Sequence, residues 1–160
     1  MREVELANRR GIAFVDDADY ELVAPNNCWA TKGHARAWVL LPSRVRMQMY
    51  MHVLIMGRRD GYIVDHRNRD GLDNRRENLR WATCGQNQFN RAGRRGSSRF
   101  KGVSLDSLTR RWRAQIGVDY GSRYIGLFDD EVVAARAYDR KALELFGEYA
   151  YLNFAEADYV

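Results

Sequence analysis

The adjacent residues Asp65 and His66 close a short apolar run that begins at Tyr62. A carboxylate can bind a divalent metal ion, and a neutral imidazole can take a proton from water. Neighbouring residues in a strand point to opposite faces, so the two side chains would act from different sides of the backbone. One divalent ion and one histidine together meet the needs of phosphodiester hydrolysis, which are an activated water, charge compensation and help for the leaving oxygen.

Several asparagines follow this pair and could complete such a site. Asn87 lies on a polar segment predicted to be helical, where its amide oxygen would add to an oxygen-rich magnesium site. Asn78 is expected to hydrogen-bond either across the intervening loop or to the His66 ring. His34 and His52 have no evident partner along the sequence, and we expect them to be structural or to face DNA.

The string from residue 64 to residue 87 resembles the HNH endonucleases of the phage and intron homing type. It contains VDHRNRD, then LDNRRENLR, and Asn87 follows nine residues after Asn78. The resemblance runs through most of residues 51–91. It implies a DNA-cutting hydrolase with a ββα-metal core, a Mg²⁺ or Mn²⁺ cofactor, and products that carry a 5′-phosphate and a 3′-hydroxyl.

Carried over residue by residue, the resemblance gives each position a role. His66 is the general base, Asp65 and Asn87 are metal ligands, and Asn78 is the structural middle member. The third position is an asparagine, as in the HNN variants of this group. Asn90 is the alternative ligand if the register slips.

A second resemblance covers Ser98–Phe154 and is to the Apetala/ethylene-response-factor DNA-binding domain. It rests on the segments FKGVS, RWRAQI, IGLFD and AARAYD and on the closing LNF. That family lays a three-stranded sheet into the major groove and packs a helix behind it. The residues that it implies face DNA are Lys101, Arg111, Arg113, Gln115 and Tyr124. Ser104 and Tyr124 stand where plant members usually carry arginine and tryptophan, so no base preference is carried over.

Charge is distributed unevenly along the chain. Residues 58–123 hold 16 Lys/Arg against 7 Asp/Glu, whereas the whole protein has a net charge of +5. Arginine dominates the basic stretch, and its planar fork suits phosphates and guanine edges. The stretch therefore favours nucleic acid as the partner. Further DNA contacts are expected from Arg91, Arg94, Arg95, Arg99 and Arg123.

Apolar and polar patterning predicts an α+β fold. A β-rich N-terminal segment leads into the ββα-metal core, and a three-stranded antiparallel sheet packed on one helix follows. We place the nuclease domain at 1–91, a basic Gly/Ser linker at 92–98 and the DNA-binding domain at 99–160. The predicted strands are Ile12–Val15, Tyr20–Val23, Ala37–Leu41, Val45–Tyr50, Tyr62–His66, Leu79–Thr83, Phe100–Ser104, Arg111–Val118 and Arg123–Leu127. The predicted helices are Met51–Met56, Gly85–Arg91 and a long one that ends near Phe146, and a hairpin turn is predicted at Asp119–Ser122.

Cysteine content and apolar patterning bear on metal sites, disulfides and location in the cell. Cys28 and Cys84 are far apart and outside any CxxC pair, so we expect neither a disulfide nor a structural zinc site. The N-terminus lacks a secretory pattern and no apolar run spans a bilayer, so we expect a cytoplasmic monomer on double-stranded DNA, in the host cytoplasm if it is phage-encoded. Two alternatives to an endonuclease remain, which are a non-catalytic DNA-binding regulator on an HNH-like scaffold and a structural or recombination accessory protein. The target site, and nicking as against double-strand cleavage, stay open.

Overall fold

Small antiparallel sheets and a few helices make up the chain, which therefore has the α+β fold that the sequence predicts. The structure is a computed structural model and describes residues 1–7, 11–93, 96–118 and 121–159. Two units can be distinguished, Met1–Asn87 and Gln88–Val160, and the predicted linker at 92–98 falls within the range of the second. Across the described ranges, no helix has the length and apolar character needed to cross a membrane.

The first unit begins with a two-stranded ribbon, of which the sequence predicts only the second strand. Strand β1 (Arg2–Glu5) pairs antiparallel with β2 (Ile12–Val15). Helix α1 (Asp17–Val23) follows, so the prediction of a strand at Tyr20–Val23 is wrong. Acidic residues in its first turn favour a helix because they interact with the positive end of the helix dipole.

A three-stranded meander forms the platform of the first unit. It consists of β3 (Asn27–Thr31), β4 (His34–Leu40) and β5 (Arg46–Tyr50), with β4 in the centre. Small side chains on one face are buried in the hydrophobic core, namely Cys28, Ala30, Ala35 and Ala37. The β3–β4 turn requires positive φ at Lys32 and Gly33 (49° and 80°), which the glycine adopts without strain.

The predicted order of strand, loop, strand and helix follows the platform and is confirmed. Helix α2 (Met51–Met56) leads to strand β6 (Ile63–His66), which pairs antiparallel with β7 (Leu79–Ala82). Helix α3 (Cys84–Phe89) comes directly after β7. Thr83 and Gln86 bond to each other's backbone N–H at the start of α3, as in a capping box.

The second unit is a three-stranded antiparallel sheet with one long helix. Its strands are β8 (Val103–Leu105), β9 (Trp112–Val118) and β10 (Gly121–Phe128), and β9 lies in the middle. Helix α4 (Glu131–Phe146) begins where the Asp130 carboxylate accepts a hydrogen bond from the Val133 N–H at 2.9 Å. Short 3₁₀ turns follow at Gly147–Tyr149 and Glu156–Asp158. Residues 119 and 120 of the predicted hairpin turn lie outside the described residues.

Helix α4 packs on the sheet through the apolar stripe that its spacing predicts. Ala135, Tyr138 and Ala142 are buried against the sheet's inner face. The Tyr138 ring comes so close to Gly102 that a Cβ there would lie 2.0 Å from it. Gly102 also has a φ of +76°, so the strand starts at Val103 rather than at the predicted Phe100.

The buried carboxylate of Asp139 joins α4 to the C-terminal segment. Asp139 has no exposed surface and accepts hydrogen bonds from the backbone N–H groups of Asn153 and Phe154 and from the Tyr159 hydroxyl. Asn153 in turn binds both backbone polar groups of Lys101, at 2.7 and 3.1 Å. A single buried acidic side chain therefore connects the helix, the C-terminal segment and the start of the sheet.

Replacing Asp139 with asparagine is expected to lower the free energy of unfolding of the second unit by about 2–4 kcal/mol. An amide has only one acceptor oxygen, so buried donors now served by the carboxylate would lose their partners. Urea denaturation would measure the loss, and hydrogen exchange should show reduced amide protection at Asn153 and Phe154. Glu144→Gln, on the exposed side of the same helix, serves as the control and should change stability by less than about 0.5 kcal/mol. Equal protection in both variants would contradict this role for Asp139.

Candidate active site

Asp65 and His66 are adjacent on β6 but belong to different surroundings. The register pairs Asp65 with Arg80 and His66 with Leu79. The Asp65 carboxylate is 7% exposed and forms an ion pair with Arg80, whose Nε and terminal nitrogen both bond to Oδ2, at 2.9 and 2.7 Å. Because strand neighbours alternate, the His66 side chain leaves β6 on the opposite face.

Asn78 closes the loop between the two strands of the hairpin. Its Oδ1 accepts a hydrogen bond from the Asn68 N–H at 2.9 Å, and its Nδ2 donates to the Asp73 carbonyl at 2.7 Å. The backbone N–H of Arg67 bonds to the Asn78 carbonyl. Of the two arrangements that the sequence leaves open, these bonds correspond to the one across the loop.

Asn74 supports His66 from within the same loop. It is fully buried, its N–H bonds to the Phe14 carbonyl at 2.8 Å, and its Nδ2 donates to the Leu72 carbonyl at 3.1 Å. That donor assignment leaves Oδ1 facing His66, 3.4 Å from Nε2. An amide oxygen only accepts, so Nε2 must carry the proton and Nδ1 the lone pair.

The N-terminal segment holds the same loop in place. The Phe14 N–H bonds to the Leu72 carbonyl, and the Arg76 N–H bonds to the Asp16 carboxylate, both at 2.8 Å. The Arg76 guanidinium also pairs with Asp19, a buried residue of α1. The N-terminal strands and helix are therefore part of the framework that positions the hairpin loop.

His34 and His52, which the sequence predicts to be structural or to face DNA, meet His66. Each of the three side chains offers one ring nitrogen, and these nitrogens all lie within 4.8 Å of one another. The ring centroids of His52 and His66 are 4.9 Å apart, and those of His34 and His66 are 5.6 Å apart. We call these three residues the histidine cluster. Its members lie 18 and 14 residues apart along the chain, on three different elements, so no local spacing could have indicated it.

Burial favours the neutral form of two members of the histidine cluster, His52 and His66, at neutral pH. Desolvation is the main cause that lowers the pKa of His52 to about 3, and the neighbouring His66 and His34 lower it further. Burial also lowers the pKa of His66, although the hydrogen bond to Asn74 and the charge of Asp65 act in the other direction. Neutral imidazoles can accept a proton or bind a metal ion.

Asn87 and Asn90, the predicted and alternative metal ligands, lie in and just after α3. Asn87 is half-buried, and its N–H bonds to the Thr83 carbonyl at 3.0 Å. Asn90 is 5% exposed and falls in the second unit. Asp65 and Asn87 are hard oxygen donors, and this donor type fits a Mg²⁺ or Mn²⁺ ion. An ion at Asp65 would share that carboxylate with Arg80.

The outer face of the sheet in the second unit carries the polar residues that alternation predicts. Gln115 lies directly opposite Tyr124 in the register, and both are exposed. Arg111 is exposed and paired with Asp129, and Arg113 is paired with Asp106. The Arg111–Asp129 pair joins two exposed side chains, and such pairs contribute little to stability, so a phosphate can replace Asp129 as the partner of Arg111.

The other predicted DNA contacts are placed differently. Lys101 donates its ammonium protons to the carbonyls of Phe89 and Arg91, at 2.7 and 2.6 Å. Arg123 is exposed, but its cross-strand partner is the buried Ile116, so it starts from the face that α4 covers. Arg91 and Arg99 are exposed, and Arg94 and Arg95 lie outside the described residues.

Comparison with known proteins finds two kinds of protein that are similar to different parts of the chain. The family model for HNH endonucleases matches residues 50–89, which include all four predicted residues of the nuclease site. APETALA2-like protein 2 of Oryza sativa subsp. indica is 52% identical over 67 residues, 41% of this chain and 15% of that protein. Ethylene-responsive transcription factor WRI1 of Arabidopsis thaliana is 37% identical over 68 residues, 41% of this chain and 16% of its own length. The chain thus contains a segment similar to HNH endonucleases and another similar to plant AP2-type proteins, and it spans about a sixth of the latter.

The geometry at Asn74 predicts which nitrogen of His66 carries the proton. We expect ¹⁵N NMR at neutral pH to find Nε2 of His66 protonated and its Nδ1 with a lone pair, because the amide oxygen of Asn74 only accepts. Asn74→Ala should shift the tautomer balance and change both ring nitrogen signals. Asn26→Ala removes a half-buried asparagine that bonds to a carbonyl of α1, and it should leave the His66 signals unchanged. A wild-type spectrum with Nδ1 protonated would refute the assignment.

Proposed function

We propose that this protein is a metal-dependent DNA endonuclease that hydrolyses phosphodiester bonds and is of the site-preferring, nicking or homing kind. The observation that carries the proposal is the buried, neutral His66 at the end of β6, beside Asp65 and within the HNH-like residues. A carboxylate and an uncharged imidazole in direct succession supply a metal ligand and a proton acceptor at one hairpin.

In this mechanism His66 acts as the general base. Asn74 binds the Nε2 proton, so the Nδ1 lone pair receives the proton of the attacking water. Asn78 keeps the loop closed and thereby fixes the end of β6. His34 and His52 surround the ring and limit its rotation.

Asp65 and Asn87 are the residues that we assign to a Mg²⁺ or Mn²⁺ ion. Bound there, such an ion would offset the negative charge that builds up at the scissile phosphate. Arg80 holds the Asp65 carboxylate in a fixed orientation through two bonds to one oxygen.

The second unit serves, in this proposal, to bind double-stranded DNA through its exposed sheet face. Support comes from the similarity to AP2-type transcription factors and from the exposed side chains of Arg113, Gln115 and Tyr124. Arginine contacts with phosphates would add affinity that falls with salt, whereas Gln115 and Tyr124 reach towards base edges.

A second candidate function is a DNA-binding regulator that uses the HNH-like scaffold without turnover. The buried Asp65–Arg80 ion pair favours it, because Arg80 competes with a metal ion for the carboxylate. The two functions differ in one measurable property, which is whether the protein breaks DNA strands.

The cleavage test uses supercoiled plasmids and phage genomic DNA with Mg²⁺ or Mn²⁺. Nicking is expected for the wild-type protein, none is expected with a chelator, and His66→Ala should be about 10²–10⁴-fold slower because the general base is lost. Glu144→Gln, exposed on α4, is the matched control and should nick at the wild-type rate. Absence of nicking on all these substrates would leave the regulator as the function. Undiminished nicking by His66→Ala would remove His66 from the mechanism while the endonuclease assignment stands.

Duplex affinity tests the role of the sheet face. Replacing Gln115 and Tyr124 together with alanine should weaken binding by about 1–3 kcal/mol, because contacts to base edges are lost. Arg123→Gln removes an exposed charge from the opposite face, and we expect it to leave the salt dependence of binding unchanged. Fluorescence anisotropy at several salt concentrations measures both quantities. If Arg123→Gln weakens binding more than the double variant does, DNA binds the opposite face of the sheet and the proposed interface is wrong.

A further inference from the structure

All three histidines of the chain converge in one place. The protein contains only His34, His52 and His66, and one ring nitrogen of each lies within 4.8 Å of the other two. They come from the first residue of β4, the second residue of α2 and the last residue of β6. Three separate elements therefore present the same type of side chain to one point.

The backbone around the histidine cluster fixes these positions. The Ala35 N–H bonds to the Gly71 carbonyl at 3.2 Å, which ties the start of β4 to the hairpin loop. A Cβ on Gly71 would lie 2.2 Å from Nδ1 of His34, so only glycine allows that ring to approach. Tyr50 stacks on His52 with 5.1 Å between ring centroids and an interplanar angle of 10°. The cluster is therefore built into the fold before any ligand arrives.

Two members of the histidine cluster each have a buried ring nitrogen without a partner in the described part of the chain. Nδ1 of His34 and Nδ1 of His52 are buried without a hydrogen-bond partner among the described residues, and such groups are costly. His66 differs, because its Nε2 proton is held by the Asn74 side chain. A ligating histidine usually donates its second ring nitrogen to an oxygen in this way. Unpaired nitrogens on two rings and an oriented third ring are the features of a metal site.

We propose that His34, His52 and His66 form a binding site for a zinc-class transition metal ion. Three imidazole nitrogens suit Zn²⁺, Co²⁺ or Ni²⁺ and do not suit Mg²⁺, which prefers oxygen. His66 would bind through Nδ1, because Nε2 carries the proton that Asn74 accepts. Sequence reasoning expected no structural zinc because it searched for paired cysteines, and histidines on three distant elements leave no such pattern.

This site is distinct from the magnesium site assigned to Asp65 and Asn87. Asp65 leaves β6 on the face where Arg80 lies, whereas His66 points into the histidine cluster. The two sites share a strand but use different donor types. The next consequence rests on the proposed function. A zinc ion bound to the Nδ1 lone pair of His66 would prevent that nitrogen from accepting a proton, so zinc would inhibit magnesium-supported cleavage.

Zinc and cobalt binding to the full chain, freed of metal and of any histidine tag, test the site directly. Isothermal titration with Zn²⁺ should give one ion per chain, and Co²⁺ should give the visible absorption of a nitrogen-ligated ion. His52→Gln and His34→Gln should each weaken binding by more than about 100-fold. Asn74→Ala, which removes the oxygen facing Nε2 of His66 together with the amide nitrogen that binds the Leu72 carbonyl, should weaken it by about 10–100-fold.

Two control variants separate this site from others. Asp65→Asn should keep its Zn²⁺ affinity, because Asp65 lies on the other face of β6. Cys84→Ser, which removes the exposed thiol, should also keep it. If zinc affinity depends on Cys84, or is unchanged in both histidine variants, the histidine cluster is not a metal site. If a histidine variant fails to fold, X-ray absorption of the zinc-loaded wild type decides, since three imidazole ligands support the site and their absence overturns it.

A cleavage assay distinguishes this inference from the proposed function. Nicking with Mg²⁺ that stops when Zn²⁺ is added, and returns when Zn²⁺ is removed, supports both. Nicking that depends on His66 in a protein that binds no Zn²⁺ overturns the metal site and leaves the endonuclease intact. Zinc binding in a protein that never nicks supports the site and removes the endonuclease.

Discussion

The hydrogen bonds of Asn74 are the constraint on which the rest of the first unit depends. Its backbone joins the hairpin loop to strand β2 at Phe14, and its side chain binds the loop's own carbonyls and the ring of His66. The residue has no exposed surface, so none of these bonds can be replaced by water. Asn74 therefore holds the loop against the N-terminal strand through its backbone and sets the tautomer of His66 through its side chain.

The second unit uses a buried polar residue in a comparable way. Asp139 joins α4 to the C-terminal segment, and Asn153 passes the connection on to the start of the sheet. Small units bury too little apolar surface to hold every segment by packing alone. In both units a fully buried side chain with several backbone partners therefore fixes the segments that lack regular pairing. A partly satisfied network of this kind would be costly, because each unpaired buried group opposes folding.

The sequence predicted the elements whose own residues determine them. Strand β9 alternates apolar and polar side chains over seven residues, and its buried and exposed positions follow that alternation. The short segment Tyr20–Val23 fits a strand or a helix equally well, and the acidic residues before it were the available signal for α1. Asp65 and His66 could be identified as candidate site residues because a metal-binding and a proton-accepting side chain are adjacent in the chain. The approach of His34 and His52 to His66 could not, since it depends on the bridge between β4 and Gly71 and on the direction of α2 after β5.

Side chains alternate along β6, and this alternation separates His66 from the proposed metal ligand Asp65. Asp65 offers oxygen to one face of the hairpin, where a hard ion belongs, and His66 offers nitrogen to the other, where two further imidazoles stand. A general base and a zinc ligand need the same lone pair, so under our proposals His66 can serve only one role at a time. Which role it serves is set by the ion at the histidine cluster, and the backbone of one strand separates that ion from the one at Asp65. Under these proposals the dipeptide Asp65-His66 takes part in DNA cleavage, and its histidine is also the residue through which zinc inhibits cleavage.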